Sequence, residues 1–520
     1  MKKLALFFLL FCVNFVSAQV QKLNTLSSGE FINSTIIYDD ENNDVYGYFL
    51  LYKKDQKNKE TYVAEYVLLD KNLNKVTSNT FTQSSYKFFL STVDFELDFV
   101  KKMGDRLFIA LNDRIYNASS YESSPSYYIN PRFRVLDLKT YELSNEKILT
   151  NNTFEDQILK DDHRTYLEDF VDHQYVKKTN GDYLLAFETP KNNNKHQLGM
   201  QYFAKLYSIH SFSIYDKDLK LKWNQKINQD EKDIYAHYLH TSNQTHFIIK
   251  KNSKKGNTIV YDLYSYEKGF VKSLSYKDDN HELEIDNVKL ANNEVILFAK
   301  NYKKGSKSFN QDKILGFTKI AFDFQGNEKS RYNATWKEVT QNLEFKKNTG
   351  EIKKYGNLEV VELIPLENNN TILFFEGYKT AKNSEILDLF VAEMDQNFKL
   401  KYFKKIDKNK TVFKKVKATG SYIKSRNAFD YLYNQKLDDE GNLVFFYVNN
   451  EKEGSRYQKR KNPEWILGMV TYVDGEFNYD KLQLSKKDSR IIPGKAKNGY
   501  IRLLEVEGNN AELRLEKINY

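Results

Sequence analysis

Apolar and polar residues alternate along most of the chain, in short runs separated by turns rich in Asn, Asp and Gly. Within residues 61–81, two alternating runs flank the turn DKNLN at 70–74, as a β-hairpin requires. Asn, Asp and Gly suit such turns because they tolerate a positive φ or bond their own backbone. The pattern therefore predicts a chain built from antiparallel hairpins.

The hairpins recur in pairs, and each pair makes a unit of four predicted strands. The second hairpin of the unit recurs in segments such as SFSIYDKDLKLKWNQKI, TIVYDLYSYEKGFVKSL and MVTYVDGEFNYDKLQL. We count eight such units of roughly 50–75 residues, a period typical of repeat architectures. The last unit is short and lacks its final strand, so we expect the segment from Val20 to Leu26 to pair beside Ala511 to Ile518 and close the ring.

Eight four-stranded units predict an all-β fold, a single β-propeller of eight blades. Seven blades and tandem β-sandwiches are the alternatives, and the absence of a Gly/Pro/Ser-rich linker favours one ring over separate sandwiches. The chain resembles secreted bacterial β-propeller repeat proteins in general. This resemblance covers residues 19–520 and rests on the repeat pattern, without a Trp-Asp or kelch-type signature. It implies one propeller domain over that whole range.

Residues 1–18 have the pattern of a secretory signal peptide. Lys2 and Lys3 precede an apolar stretch at 4–16 that is too short to span a bilayer, and Val16-Ser17-Ala18 supplies small residues for cleavage before Gln19. The segment is typical of Gram-negative bacteria. We therefore expect an exported protein, in the periplasm or the medium, without a transmembrane anchor after cleavage. The only cysteine, Cys12, lies in this segment, so the mature chain can form no disulfide.

Charge and motifs exclude several function classes. The 520 residues carry 79 Lys and Arg against 70 Asp and Glu, a mixed surface that is not typical of nucleic-acid binding. The sequence contains no GxGxxG loop, Walker loop, GxSxG elbow or HExxH motif, and it indicates no cofactor. These absences favour a non-enzymatic binding or scaffold protein. The alternative is a glycan-acting hydrolase that uses carboxylates, for which the acidic stretches 161–173 and 277–286 offer candidates.

Three histidines are the best candidates for a metal site. In a hairpin centred on Asn243, His240 and His246 would face each other, whereas His237 would point to the other side of the sheet because strand side chains alternate. Two imidazoles without a third ligand do not make a zinc site. We therefore predict no metal site.

The long connections carry the residues that favour binding. In a propeller, the connections between second and third strands and those between blades emerge on one face, and loops on a rigid scaffold commonly host binding sites. The segment 116–128 is rich in Tyr and Ser, a composition suited to recognition, and 408–426 and 456–461 are rich in Lys and Arg. We predict that this face binds an acidic glycan, or a peptide or protein partner, through the following residues: Tyr121, Tyr127, Tyr128, Lys414, Lys415, Lys417, Arg456 and Arg460.

Overall fold

The computed structural model describes residues 19–519 with gaps at 40–43, 59–60, 85–86, 89–90, 117–126, 151, 157–173, 178–181, 189–210, 228–233, 240–242, 244, 254–257, 307–313, 341–342, 347–350, 382, 414–416, 426, 451–464, 485–488 and 509. The described residues form eight antiparallel sheets, which we number as blades 1 to 8 along the chain. The predicted eight-bladed propeller is therefore confirmed, and seven blades and tandem sandwiches are not observed.

The first half of the ring begins with β1 (Gln19–Lys22), which is followed by a 3-10 helix at Leu23–Thr25. Blade 1 contains β2 (Glu30–Tyr38), β3 (Val45–Asn58), β4 (Thr61–Asp70) and β5 (Lys75–Ser84). Blade 2 contains β6 (Lys87–Phe88), β7 (Ser91–Met103), β8 (Arg106–Tyr116), β9 (Tyr127–Asp137), β10 (Lys147–Thr150) and β11 (Thr153–Asp156). Blade 3 contains β12 (Gln174–Lys177), β13 (Leu184–Glu188), β14 (Ser211–Tyr215) and β15 (Leu221–Lys226). Blade 4 contains β16 (Ile234–Leu239), β17 (His246–Ser253), β18 (Thr258–Ser265) and β19 (Gly269–Leu274).

Among the described residues, two short α-helices lie in the second half of the ring. Blade 5 contains β20 (His281–Ala291), β21 (Glu294–Lys303), β22 (Gly316–Asp323) and β23 (Glu328–Thr335), and helix α1 (Trp336–Val339) follows it. Blade 6 contains β24 (Asn357–Pro365), β25 (Thr371–Thr380), β26 (Ser384–Met394), β27 (Leu400–Ile406) and β28 (Thr411–Phe413), and helix α2 (Gly420–Ser425) follows it. Blade 7 contains β29 (Tyr431–Lys436), β30 (Leu443–Asn450), β31 (Trp465–Val473) and β32 (Glu476–Gln483). Blade 8 contains β33 (Arg490–Lys495), β34 (Tyr500–Glu507) and β35 (Asn510–Lys517).

Blade 8 is completed by the first strand of the chain, as the sequence predicts. β1 pairs antiparallel with β35, with Gln19 opposite Leu515 and Lys22 opposite Glu512. The next residue, Leu23, is fully buried, and its carbonyl accepts a hydrogen bond of 2.9 Å from the Tyr52 hydroxyl of blade 1. The two ends of the propeller are thus fastened both by a sheet ladder and by a buried side chain.

The core lies between the blades, because each sheet buries both of its faces. Eight apolar clusters span successive pairs of neighbouring blades, including the pair formed by blades 8 and 1. Strand β25 illustrates the pattern: Leu373 and Phe375 pack toward blade 5, whereas Ile372 and Phe374 pack toward blade 7. Strand side chains alternate between the two faces, so a nearly continuous apolar run serves two interfaces at once.

In blades 1, 3, 5 and 6, the turn between the third and fourth strands repeats one local structure. An aspartate accepts hydrogen bonds at Oδ1 from the backbone N–H groups two and four residues later, and the residue three positions later has a positive φ. The aspartates are Asp70, Asp216, Asp323 and Asp395, and the residues with positive φ are Leu73, Leu219, Gly326 and Phe398. This motif explains why the turns are short and rich in Asp and Asn.

The connections divide the molecule into two faces. The turns between first and second strands and between third and fourth strands lie at one face, which we call the turn face; in blade 2, β7 to β10 count as the first to fourth strands. The connections between second and third strands and between blades lie at the other, which we call the loop face. Both α1 and α2 follow the last strands of their blades, so they belong to the loop face. Within the described residues, no helix is long and apolar enough to cross a membrane.

Candidate functional site

Most of the predicted binding residues lie outside the described residues. These are Tyr121, Lys414, Lys415, Arg456 and Arg460. Lys417 is described; it is exposed and lies between β28 and α2, in the loop-face connection from blade 6 to blade 7.

Tyr127 and Tyr128 do not belong to a loop, contrary to the sequence prediction. They begin strand β9, where Tyr127 pairs with Ile115 and Tyr128 with Arg114. The strands of this hairpin extend farther than the alternating pattern indicates, because Tyr has a high propensity for strands and its run continues the ladder. The connection between β8 and β9 is correspondingly shorter than predicted.

The lysines of segment 408–426 are not all free surface charges, which corrects the sequence interpretation. The Lys408 side chain is fully buried, with its Nζ 2.7 Å from Asp430 Oδ2. Lys410 Nζ lies 3.8 Å from Glu385, and Lys424 Nζ lies 2.9 Å from Asp286 Oδ2. The segment lacks acids of its own, and its partners lie outside it, on β25 and β26 of blade 6, in blade 5 and at the start of blade 7.

The histidine hairpin has a different register from the predicted one. Leu239 pairs with Ile248, whereas a hairpin with His240 opposite His246 would pair Leu239 with Phe247. The His246 ring stacks on Phe324 at 4.2 Å, and burial lowers its pKa. His240 lies outside the described residues. Among the described residues, no three His, Cys, Asp or Glu side chains are grouped so that they could hold a metal ion.

Of the two acidic stretches, 161–173 and 277–286, the structure describes only the second. Residues 161–173 lie outside the described residues. In the other stretch, Asp278 accepts hydrogen bonds from the backbone N–H groups of Asn280 and His281 and so begins strand β20. Asp286, by contrast, belongs to a larger cluster of buried charges beneath the loop face.

This cluster, which we call the buried ion network, joins blades 5, 6 and 7. Its members are Asp286, Lys300, Glu359, Glu376, Lys408, Lys424 and Asp430. Apart from Lys424, each side chain is at most 9% exposed. The two glutamates are opposite neighbours on β24 and β25, so the network continues across the sheet of blade 6.

Lys300 is the centre of the part between blades 5 and 6. Its Nζ lies 2.6 Å from Glu359 Oε1 and 3.1 Å from Asp286 Oδ1. Asp286 is the extra residue of a β-bulge in β20, and bulges commonly redirect a side chain in this way. Burial alone would raise the pKa of Asp286, but Lys300 and Lys424 outweigh it and hold that pKa at about 2. Burial raises the pKa of Glu359 despite the neighbouring Lys300.

Glu376 is the centre of the part between blades 6 and 7. Its carboxylate accepts hydrogen bonds from the backbone N–H groups of Asp430 and Tyr431, and the Thr411 hydroxyl donates to Asp430. The Nζ of Lys408 lies 3.8 Å from Glu376 and 2.7 Å from Asp430, so this ammonium group contacts both carboxylates. Burial raises the pKa of Glu376 to about 7; Lys408 opposes this shift and Asp430 adds to it.

Helix α2 covers the network from the loop face. Gly420 begins the helix so close to the network that a Cβ there would lie 2.4 Å from Glu359 Oε2 and 2.7 Å from the Tyr378 ring. Ile423 anchors the helix among buried apolar residues, while Tyr422 on its outer side is 50% exposed. The network's carboxylates therefore stabilise the junction of three blades and are covered from solvent.

Sequence reasoning missed this network, although it leaves a signal. Lys300 and Glu376 each stand as a single charge inside an otherwise largely apolar stretch, in LFAKNY and ILFFEGY, and Glu359 shares the stretch NLEVVEL with Glu362. A lone charge in a buried strand needs a partner, because an unpaired charge is costly to bury. The partners lie on other strands or connections and, for Glu359, on another blade, so the sequence shows that a pair is needed but not which residues form it.

Comparisons with known proteins give a family match for one part of the chain. A family model described as "Family of unknown function (DUF6770)" matches residues 381–519, which span the last strands of blade 6, blade 7 and the three C-terminal strands of blade 8. No curated protein sequence matches the chain.

Several solved structures are similar to the chain at low identity. Prolyl oligopeptidase B from Galerina marginata has 8% identity and a TM-score of 0.35, over 92% of this chain and 55% of that one. The beta-propeller domain of the Trilobed protease from Pyrococcus furiosus has 9% identity and a TM-score of 0.34, over 82% of this chain and 98% of that one. Hydrazine synthase from Kuenenia stuttgartiensis has 7% identity and a TM-score of 0.30, over 57% of this chain and 70% of that one.

Proposed function

We propose that the protein is an exported, non-enzymatic binding protein that takes an acidic glycan on its loop face. The observation that carries the proposal is the separation of the two faces. The long connections begin and end at the loop face, while the turn face carries short turns, four of which share one Asp-based structure. Loops positioned by a rigid scaffold are the usual place for a binding surface.

The buried ion network favours binding over hydrolysis. A glycoside hydrolase needs two carboxylates roughly 5–10 Å apart that reach the substrate. Glu359 and Glu376 are close neighbours, but both are fully buried, and lysine ammonium groups lie beside them. Groups in such positions hold the blades together and do not reach a polymer in solvent.

The loop face offers positive charge and aromatic area to an anionic chain. Lys417 and Tyr422 are exposed in the same connection, on either side of the start of α2. The same connection also contains Lys414 and Lys415 in its sequence. The connection between β30 and β31 contains Arg456 and Arg460, so the two connections carry four further positive charges. Each exposed pair contributes little, about 0.2–1 kcal/mol, so binding would need several contacts and would weaken with salt.

The test is binding of an acidic polysaccharide, polygalacturonate, by wild type and by a variant with Lys414, Lys415, Lys417, Arg456 and Arg460 changed to Ser. We expect wild type to bind at low salt and the variant to bind at least about tenfold more weakly, because five modest contacts are lost together. Wild-type affinity should also fall between about 20 and 200 mM salt.

The matched control removes five lysines from the turn face, so that the net charge changes equally. The residues are Lys71, Lys139, Lys220, Lys268 and Lys399, all exposed and all within turns between third and fourth strands. We expect this control to bind as wild type does. Equal losses in both variants would assign the binding to net charge alone, and absence of wild-type binding, or tighter binding to an extended peptide, would reject an acidic glycan as the ligand.

A further inference from the structure

A cleft opens between blades 3 and 4, away from the network and from α2. It has a volume of about 270 Å³ and is lined by Gln225, Lys226, Ile227, Lys251, Asp262, Tyr264 and Phe270. Strands β15, β17, β18 and β19 supply these residues, apart from Ile227, which directly follows β15. The cleft lies where the apolar interface of blades 3 and 4 ends, since Ile227 and Tyr264 belong to that interface.

One wall of the cleft is polar and held in place. Asp262 is 1% exposed, and it accepts a 2.7 Å hydrogen bond from the Ser273 hydroxyl at Oδ1. Its Oδ2 lies 2.5 Å from Lys251 Nζ, so the ammonium group of Lys251 is fixed at the cleft while its side chain is still 30% exposed. The Gln225 amide is also oriented, because it donates to the carbonyl of Lys226.

The other wall is aromatic and open to solvent. Phe270 is 52% exposed, an unusual position for a phenylalanine in a described strand of this protein. Its ring packs edge-on against Tyr264 with 5.5 Å between the ring centroids, and Tyr264 is itself buried. The ring of Phe270 is thereby supported on one side and accessible on the other.

We propose that this cleft binds one six-membered sugar ring that carries a carboxylate, as in a glucuronate residue. The apolar face of the ring would pack on Phe270, and the carboxylate would accept hydrogen bonds from Lys226 and Lys251. Among the described lining residues, two lysines stand against the one carboxylate of Asp262, which leaves one positive charge for an anion. The volume corresponds to about nine water molecules, which suits a single sugar ring.

This site does not depend on the loop-face proposal. Strands rather than long connections supply nearly all of the described residues that line it, and the loop-face variant changes none of these residues. The loop-face variant should therefore keep its affinity for a single sugar acid, and failure of one proposal can be told from failure of the other.

The experiment measures binding of sodium glucuronate, glucose and acetate to the whole protein by calorimetry and by saturation-transfer NMR. Glucose has the ring without the carboxylate, and acetate has the carboxylate without the ring. We expect glucuronate to bind about tenfold or more tightly than either, because only it uses both walls. Phe270→Ala should weaken glucuronate binding by about fivefold or more through loss of the stacking area, and Lys226→Gln by about threefold through loss of one charge.

Tyr46→Ala is the matched control, since Tyr46 is an exposed aromatic residue on the turn face of blade 1. Tyr46→Ala should bind glucuronate with the affinity of wild type. Phe270→Ala should keep the melting temperature of wild type, so that its weaker binding is not caused by unfolding. Unchanged binding by Phe270→Ala, absence of wild-type binding, equal affinity for glucose and glucuronate, or tighter binding of an acidic peptide would each overturn the proposal.

Discussion

The buried carboxyl group of Glu376 makes the stability of the fold depend on pH. The carboxylate is fully buried, and its pKa rises from an ordinary value of 4.5 to about 7. Between these two pH values the folded state holds a proton that the unfolded state releases. The contribution of this group to stability is therefore present in full below about pH 4.5 and is lost as the pH rises through 7.

Glu376→Gln should remove this pH dependence. We expect the free energy of unfolding of wild type, minus that of the variant, to fall by about 2 kcal/mol between pH 5 and pH 7.5. Urea unfolding at several pH values measures this difference, whatever the absolute stability of the variant. Glu440→Gln, an exposed substitution in a turn of blade 7, serves as control and should leave the difference constant. Parallel curves for wild type and Glu376→Gln would contradict the burial of an ionisable Glu376.

At the residue scale, the sequence shows which charged residues a segment carries but not which residues they contact. The excess of lysines in 408–426 is a property of the sequence, but Lys408 pairs with Glu376 of blade 6 and with Asp430 at the start of blade 7. Lys424 pairs with Asp286 of blade 5, which is far from it in sequence. Only the blade order brings Asp286 to α2, so no local pattern could have identified this pair.

Strand β1 is the element on which closure of the ring depends. It covers the outer edge of β35, and the adjoining Leu23 is fully buried between blades 8 and 1. A chain that lacks residues 19–26 should lose about 3 kcal/mol or more of stability, because a buried Leu and several ladder hydrogen bonds disappear together. It should also associate at higher concentration through the exposed edge. Calorimetry and light scattering measure the two effects.

Val20→Ala is the control for this deletion, because Val20 is 49% exposed although it lies in the same strand. It should melt within about 1 °C of wild type. If the deleted chain melted at the wild-type temperature as well, the ring would not depend on its N-terminal strand.

Strands and turns were predicted well where local hydrogen bonds determine them, and less well where packing against distant residues does. The Asp-based turns identify the hairpins because their hydrogen bonds are local, as at Asp70 and Asp395. The extra hairpin strand β11 of blade 2 and the short helix α2 were not expected. α2 spans six residues, and its position depends on packing of Ile423 against Tyr378 and its neighbours rather than on helix propensity.

At the scale of the whole molecule, the eight inter-blade cores make the ring one cooperative structure. Each blade shares apolar residues with both neighbours, and blade 8 returns to blade 1 through β1. This arrangement could be predicted from the repeat count, because a four-stranded sheet that is apolar on both faces must be covered on both. The ligand could not be predicted in this way, because it depends on side chains in connections that do not repeat.

The central claim is that the loop face, and not the turn face, binds the ligand. Hydrogen–deuterium exchange of the protein with and without polygalacturonate tests it most directly. We predict slower exchange in loop-face connections, above all in 407–430 and 451–464, and unchanged exchange in the turns 70–75, 215–221 and 394–400. Slower exchange in those turns, or unchanged exchange in the loop-face connections under conditions where the polymer is bound, would contradict the account.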